Sequence, residues 1–349
     1  MVQPDTMLRK SLYILVFTLS AGIMQAQTGG DNIYEFLNLT HSGLVSSLGG
    51  INVSLNTDNL NLAYYNPGLL NSGMDRSLAL NYVNYFGGVN YGMVMYSLSS
   101  HGTGHYATGL TYLNYGSFTE ADASGNITGK FTASEYSLSL IYSRDLDSLF
   151  TVGVNCKPIL SFLENYSSVG LAFDLGASYH NRSELFSAGF VIRNAGIELK
   201  TYAGEKHQKL PFEIEAGISQ RLAHAPFRFS LTLRHLEKYD LTYHYGDTSS
   251  VISNLRSPEF FENLLRHAIV GIEIIPHKNL YLSAGYNYQR RRELQIDSKI
   301  STVGFSWGFG INTNWFNIEF GRATYHLAGS SNHISFIIRP DLLYNRFRK

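Results

Sequence analysis

The chain has 349 residues, of which Asp, Glu, Lys and Arg make up 15%, well short of the roughly one quarter typical of soluble globular domains. Its 24 Tyr and 21 Phe suit a lipid-facing exterior with aromatic rims. Basic and acidic residues balance at 27 each, so nothing recommends a nucleic-acid partner, and the single cysteine, Cys156, excludes an intramolecular disulfide and any multi-cysteine metal site.

Arg9 and Lys10 precede an apolar run over 12–23 and then Met24-Gln25-Ala26. This is the layout of a secretory signal peptide, assigned to 1–26, with Met1 or Met7 as the start of translation. No cysteine stands near the cut, which argues against lipoprotein processing. Further on, no apolar stretch reaches the ~20 residues a spanning helix needs. An exported chain of this kind is expected to reside in the outer membrane as a β-barrel.

Residues 27–76 do not alternate. Ile33, Phe36, Leu37, Leu44, Val45 and Leu48 come at helical or irregular spacing, followed by Gly49-Gly50 and Asn66-Pro67-Gly68-Leu69-Leu70. So many apolar side chains need burial, and the expected place is inside the barrel, as a plug.

From residue 77 the period becomes two. The pattern is plainest over 212–234, where Phe212, Ile214, Ala216 and Ile218 alternate with Glu213, Glu215, Gly217 and Ser219. After a break at 222–226, Phe227, Phe229, Leu231 and Leu233 alternate with Arg228, Ser230, Thr232 and Arg234. Successive strand side chains point to opposite faces, so each arm of this hairpin has one greasy face and one charged face. Strands are expected at 77–85, 89–98, 105–115, 132–144, 150–160, 166–179, 185–194, 212–221, 227–236, 267–275, 280–288, 300–310, 315–325 and 333–339. The predicted fold is therefore an all-β, 14-stranded antiparallel transmembrane β-barrel over 77–340, with a tail at 341–349. Connections after even-numbered strands are short and several after odd-numbered ones are long, which puts both termini in the periplasm. The short connection around Phe86-Gly87-Gly88 is an exception.

Glu135, Asp174, Glu213, Glu215, Glu273 and Glu319, with Arg193, Arg228 and Arg234, share the parity opposite to the apolar face. A charge on the lipid face costs on the order of 2–4 kcal/mol near the midplane, so the plain expectation is pairing inside the barrel, with a polar path as the other reading. Arg290, Arg291 and Arg292 stand at the end of a strand, where they either clasp phosphate or carboxylate of lipopolysaccharide or are merely solvated. In the longest loop Ser257-Pro258-Glu259 resembles a helix start, and Phe260, Phe261, Leu264 and Leu265 then form one face. That face either docks a partner protein or folds down over the lumen; burial is the expectation, because exposed apolar patches are rare unless used. No His pair has metal-ligand spacing, Ser331-Asn332-His333 lacks an orienting third group, and no cofactor is called for. A surface lipase is left without support.

Several runs carry a resemblance. They are Tyr34-Glu35-Phe36-Leu37-Asn38-Leu39, Ser47-Leu48-Gly49-Gly50, Asn66-Pro67-Gly68-Leu69-Leu70, Leu80-Asn81-Tyr82-Val83-Asn84-Tyr85 and Leu210-Pro211-Phe212-Glu213-Ile214. Others are His224-Ala225-Pro226-Phe227-Arg228-Phe229-Ser230-Leu231 and Leu236-Glu237-Lys238-Tyr239-Asp240-Leu241. Together they resemble the FadL-type barrels and, within them, the PorQ family of the type IX secretion system. The resemblance implies a non-enzymatic outer-membrane component that anchors PorZ at the cell surface, in a complex with PorU and PorV that joins cargo to anionic lipopolysaccharide. Gly68 replaces the Ala usual in the wider group, and the chain ends in 340–349 without a terminal aromatic residue. The rival expectation is a FadL-like transporter that admits hydrophobic small molecules through a lateral opening, with Pro158 or Gly153 kinking a strand to make the gap.

Overall fold

The computed structural model describes residues 32–100, 102, 104–241, 260–294, 302–326 and 329–342. The signal-peptide assignment, the helix start at 257–259 and all but the first two residues of the tail lie outside them. The strands are β1 (Leu78–Asn84), β2 (Asn90–Ser97), β3 (Gly104–Ala121), β4 (Ile127–Asp145), β5 (Phe150–Leu163), β6 (Tyr166–His180) and β7 (Phe186–Lys200). They continue as β8 (Glu213–Arg221), β9 (Phe227–Leu233), β10 (Ala268–His277), β11 (Leu280–Asn287), β12 (Phe305–Asn312), β13 (Phe316–His326) and β14 (Gly329–Ile338). Each pairs antiparallel with its sequence neighbours, and β1 pairs with β14 from Leu78↔Ile338 to Asn84↔Asn332, closing a 14-stranded barrel with no free sheet edge.

The period of two accounts for the wall. Leu110, Leu140, Leu175, Phe190, Ile218 and Val270 are exposed on the outside, while Glu135, Glu213, Glu215, Glu273, Glu319 and Arg193 are buried on the inside. No described helix is long and apolar enough to cross a membrane; the strands supply the apolar band, and their backbone groups are satisfied by the ladder.

Most strand ends fall close to expectation. The exception is the segment expected to be a loop at 116–131, which instead prolongs β3 and β4 into a two-stranded ribbon out to Ala121↔Ile127. A bulge between Asn114 and Ser117 shifts the parity there. Beyond it both faces of the ribbon meet water, so no alternation marks it. At the same end β9 stops at Leu233, because His235 takes a left-handed φ of 54°. The long connections all gather at this end, which also carries the short β1–β2 and β5–β6 connections, and the other end has short turns only. There the Arg76–Asp341 pair at 2.5 Å ties the start of β1 to the end of β14.

Inside the wall runs the segment 32–76, which includes the short helices α1 (Gly43–Ser47) and α2 (Leu62–Tyr65). Most of its apolar side chains from Leu37 to Met74 are wholly or almost wholly buried, among them Val53, Leu55, Leu60 and Tyr64. A segment with so little regular structure leaves many backbone groups needing partners, and inward serines supply them. Ser143 donates to Leu70 O (2.8 Å), Ser178 to Gly68 O (2.6 Å), Ser187 to Ser54 O (2.7 Å) and Ser306 to Ser47 O (3.0 Å). These bonds run from strands around the barrel to the plug.

Candidate functional site

Two features fix the plug. The first is a set of glycines on the inward parity of the strands. A Cβ on Gly153, Gly176 or Gly189 would collide with Pro67, Asn66 or the Val53 carbonyl, and one on Gly285, Gly308 or Gly321 would collide with the backbone or Cβ atoms of Leu48, Ser47 or Gly43. Gly153 pairs with Gly176 and Gly308 with Gly321 across adjacent strands, so these residues form smooth seats for the Asn66-Pro67-Gly68 turn and for α1. Mid-strand glycine commonly marks such a close backbone approach.

The second feature is ionic. Lys157, absent from the charges singled out in the sequence, is fully buried on β5 with its Nζ 2.5 Å from Asp174 Oδ2 and 4.8 Å from the ring centre of Tyr64 on the plug. Asp174 Oδ1 accepts the Asn194 N–H at 2.8 Å, at a bulge where Asn194 has a φ of 54°. Arg193 reaches Glu215 at 3.4 Å and donates to the plug carbonyl of Leu37 at 3.2 Å. Arg234 donates to Glu213 at 2.7 Å, and Arg228 makes a two-pronged pair with Glu273 at 2.7 and 2.8 Å. Across the lumen Glu319 receives the Leu44 N–H at 3.2 Å and the Ser42 hydroxyl at 3.3 Å. The pairing expected of these charges holds for Asp174, Glu213, Glu215, Glu273, Arg193, Arg228 and Arg234. Glu319 and Glu135 instead form no ion pair among the described residues and are met by neutral donors, Glu135 by the hydroxyls of Tyr115 at 2.6 Å and Ser161 at 3.1 Å.

The kink proposed for a lateral opening is not formed. Gly153 makes room for Pro67, and the ladder between β5 and β6 runs unbroken through both Gly153 and Pro158. Between β4 and β5 only Lys157 and Pro158, the latter with no N–H to give, leave the ladder opposite Ser139 and Leu138, and the register is the same on either side.

At the long-loop end stand α3 (Phe260–His267) and α4 (Tyr288–Leu294), packed against one another. The apolar face of α3 was expected to turn down over the lumen; it points out instead. Phe260, Phe261, Leu264 and Leu265 are 61, 72, 47 and 48% exposed. The cause lies on the polar side of the helix. Asn263 is buried, donates to Tyr239 O and accepts the Leu241 N–H, while His267 Nδ1 lies 2.7 Å from Arg234 O. Glu262 is held by Arg266 at 3.2 Å and Arg292 at 2.6 Å, and the Arg292 hydrogen bond keeps its carboxyl below the usual range. Satisfying these groups orients the helix, and the greasy side is left outward, above a crevice of about 450 Å³ lined partly by Leu236, Tyr239, Phe260 and Leu264.

The arginine triplet does not act as one clasp. It lies on α4, and its members diverge: Arg292 to Glu262, Arg291 to Val303 O at 3.4 Å, and Arg290 inward over the Tyr325 ring at 4.1 Å. Two serine–histidine contacts also appear. Ser331 meets His333 at 2.7 Å, both fully buried. At the short-turn end Ser100 meets His105 at 2.5 Å, and His105 meets Asp145 at 2.9 Å. That row resembles a nucleophile triad, but the Ser100 hydroxyl donates to Asp75 Oδ1 at 2.5 Å and its N–H goes to Asp75 Oδ2 at 2.9 Å. The group serves as a strap from the plug's exit to two turns, with its oxygen already occupied.

No protein-family model and no curated protein matches the chain. Solved structures share its fold. The Pseudomonas putida toluene transporter TodX is 11% identical over 86% of this chain and 97% of its own, with a TM-score of 0.52. A Pseudomonas aeruginosa FadL homologue is 10% identical over 89% of this chain and 100% of its own, with a TM-score of 0.50. The molecule has the FadL-like outer-membrane barrel fold.

Proposed function

We propose that this barrel is a docking platform of the type IX secretion system, which holds a PorZ-like surface protein at the outer membrane, with PorU and PorV in the same attachment complex. The observation that carries this reading is the outward apolar face of α3 on a barrel whose lumen is filled and bonded from wall to plug. A filled lumen has no evident use in conduction, whereas a rigid wall fixes a helix in space for a partner. The residue runs resembling the PorQ family supply the partner's identity, and Phe260, Phe261, Leu264 and Leu265 supply the contact. Orientation follows from the loop rhythm, with both termini periplasmic and α3 at the cell surface. No step of this role requires catalysis.

The second reading, uptake of hydrophobic small molecules, is favoured by the likeness in fold to TodX. The two separate experimentally. Immobilised PorZ-like protein is expected to retain the wild-type barrel from detergent extracts and to lose it when Phe260, Phe261, Leu264 and Leu265 are all changed to Ser, since buried aromatic anchors are worth about 2 kcal/mol or more each. Equal retention of both forms rejects the α3 contact. Accelerated entry of a hydrophobic dye into liposomes that carry the barrel would favour transport.

A further inference from the structure

Above the plug at the long-loop end lies a cup of about 390 Å³, floored by Thr40 and Gly50 and walled by Lys238 on one side and Arg290 and Tyr325 on the other. We propose that this cup binds one anionic oxygen group, a carboxylate or a phosphate, through Arg290. The inference does not depend on the docking role.

Its geometry is that of a prepared donor. The guanidinium of Arg290 stacks on Tyr325 at 4.1 Å, and its Nη2 donates to the Tyr325 hydroxyl at 3.4 Å. Tyr325 in turn packs edge-on against Tyr85 at 5.4 Å, and Tyr85 against Tyr91 at 5.8 Å. Tyr91 is anchored to the plug by its bond to Thr40 O at 2.8 Å. The Arg290 N–H is taken by Asn287 Oδ1 at 2.9 Å, so backbone and head group are both held. A Cβ on Gly50, which also has a φ of +104°, would lie 2.6 Å from Arg290 Nη2. Glycine there lets the guanidinium rest on the plug.

What the guanidinium lacks is an anion. Arg290 forms no ion pair among the described residues, and its Nη1 is buried without a hydrogen-bond partner. The carboxylates lining the cup are engaged with others: Glu213 with Arg234 at 2.7 Å, Glu35 with Asn32 at 3.0 Å and Glu293 with Gln289 at 2.9 Å. A buried donor left open calls for a bound group, and a planar fork on an aromatic ring suits paired anionic oxygens. The volume admits a phosphate or an acidic side chain but not a folded domain, so a larger ligand would insert only its anionic end.

Calorimetric titration of the purified barrel in neutral detergent, against inorganic phosphate and against acetate with chloride-matched ionic strength, tests the site. Saturable binding of either probe is expected, weakened about tenfold or more in Arg290→Met, as befits the loss of a charged hydrogen bond. Arg292→Met, whose guanidinium faces Glu262, is expected to bind within about twofold of wild type. Tighter phosphate binding points to a phosphorylated glycolipid as the source, tighter acetate binding to a protein carboxylate. Should Arg290→Met not fold, Gly50→Ala, which displaces the guanidinium, is expected to weaken binding in its place. No saturable binding of either probe to wild type, or equal affinity in the Arg290 and Gly50 variants, would overturn the proposal.

Discussion

Lys157→Met is expected to lower the unfolding free energy of the barrel in detergent by about 3–5 kcal/mol, the cost of leaving a buried charge without its partner. Asp174 and Lys157 are both wholly buried, so no water replaces the lost ammonium. The damage spreads because Asp174 also holds the bulge at Asn194, whose side chain accepts a bond from Lys157 Nζ at 3.1 Å. Beside it the Tyr64 ring loses the cation facing it. Adding Asp174→Asn to Lys157→Met should recover most of the loss, since the amide oxygen can still accept the Asn194 N–H while the charge is gone. Denaturant unfolding, arranged as a double-mutant cycle, measures this coupling. Additive effects of the two changes would mean that the pair is not what holds β5 to β6 and the plug.

Gly189→Val is expected to be the most damaging change to the seat of the plug. Overpacking a core typically costs about 1–3 kcal/mol, and here the obstacle is a backbone carbonyl, Val53 O, with Asn66 Nδ2 beside it. Asn66 is itself bound to Val53 O at 2.8 Å and Ala177 O at 3.1 Å, so the plug cannot slide without breaking those bonds. The plug should come loose from its seat, and limited proteolysis in detergent should then cut within 33–74 in the variant but not in wild type. Ala188→Val, one residue away and facing outward, should leave the digestion pattern unchanged. Equal protection in Gly189→Val and wild type would mean that the seat tolerates a side chain and that the glycines are incidental.

The wall was legible because each strand face meets a single medium. Lipid outside and a packed lumen inside impose a strict period of two, and Glu213, Glu215, Arg228 and Arg234 all lie inward as that period requires. Where the medium is the same on both sides the signal vanishes, as in the β3–β4 ribbon past Asn114. The outward orientation of α3 was not legible for a different reason. Apolar spacing suggested a face in search of burial, yet Asn263, His267 and Glu262 decide the packing through partners far away in sequence, Tyr239, Arg234 and Arg292. The same distance hid the pairing of Lys157 with Asp174. The glycine seats did leave a trace, since glycine recurs mid-strand on the inward parity at 153, 189, 285 and 308. Such positions weaken a strand unless something presses against them, and here the plug does, where the sequence had suggested only a kink at Gly153.

Everything proposed for the outer surface rests on a barrel that is stoppered at rest, and conductance measures that state directly. Purified wild-type protein, inserted into a planar bilayer without any partner, should give no steady ion current at moderate voltage. Persistent open steps of porin size from the unmodified protein would show that the lumen is a path, and the transporter reading would then stand in place of the platform.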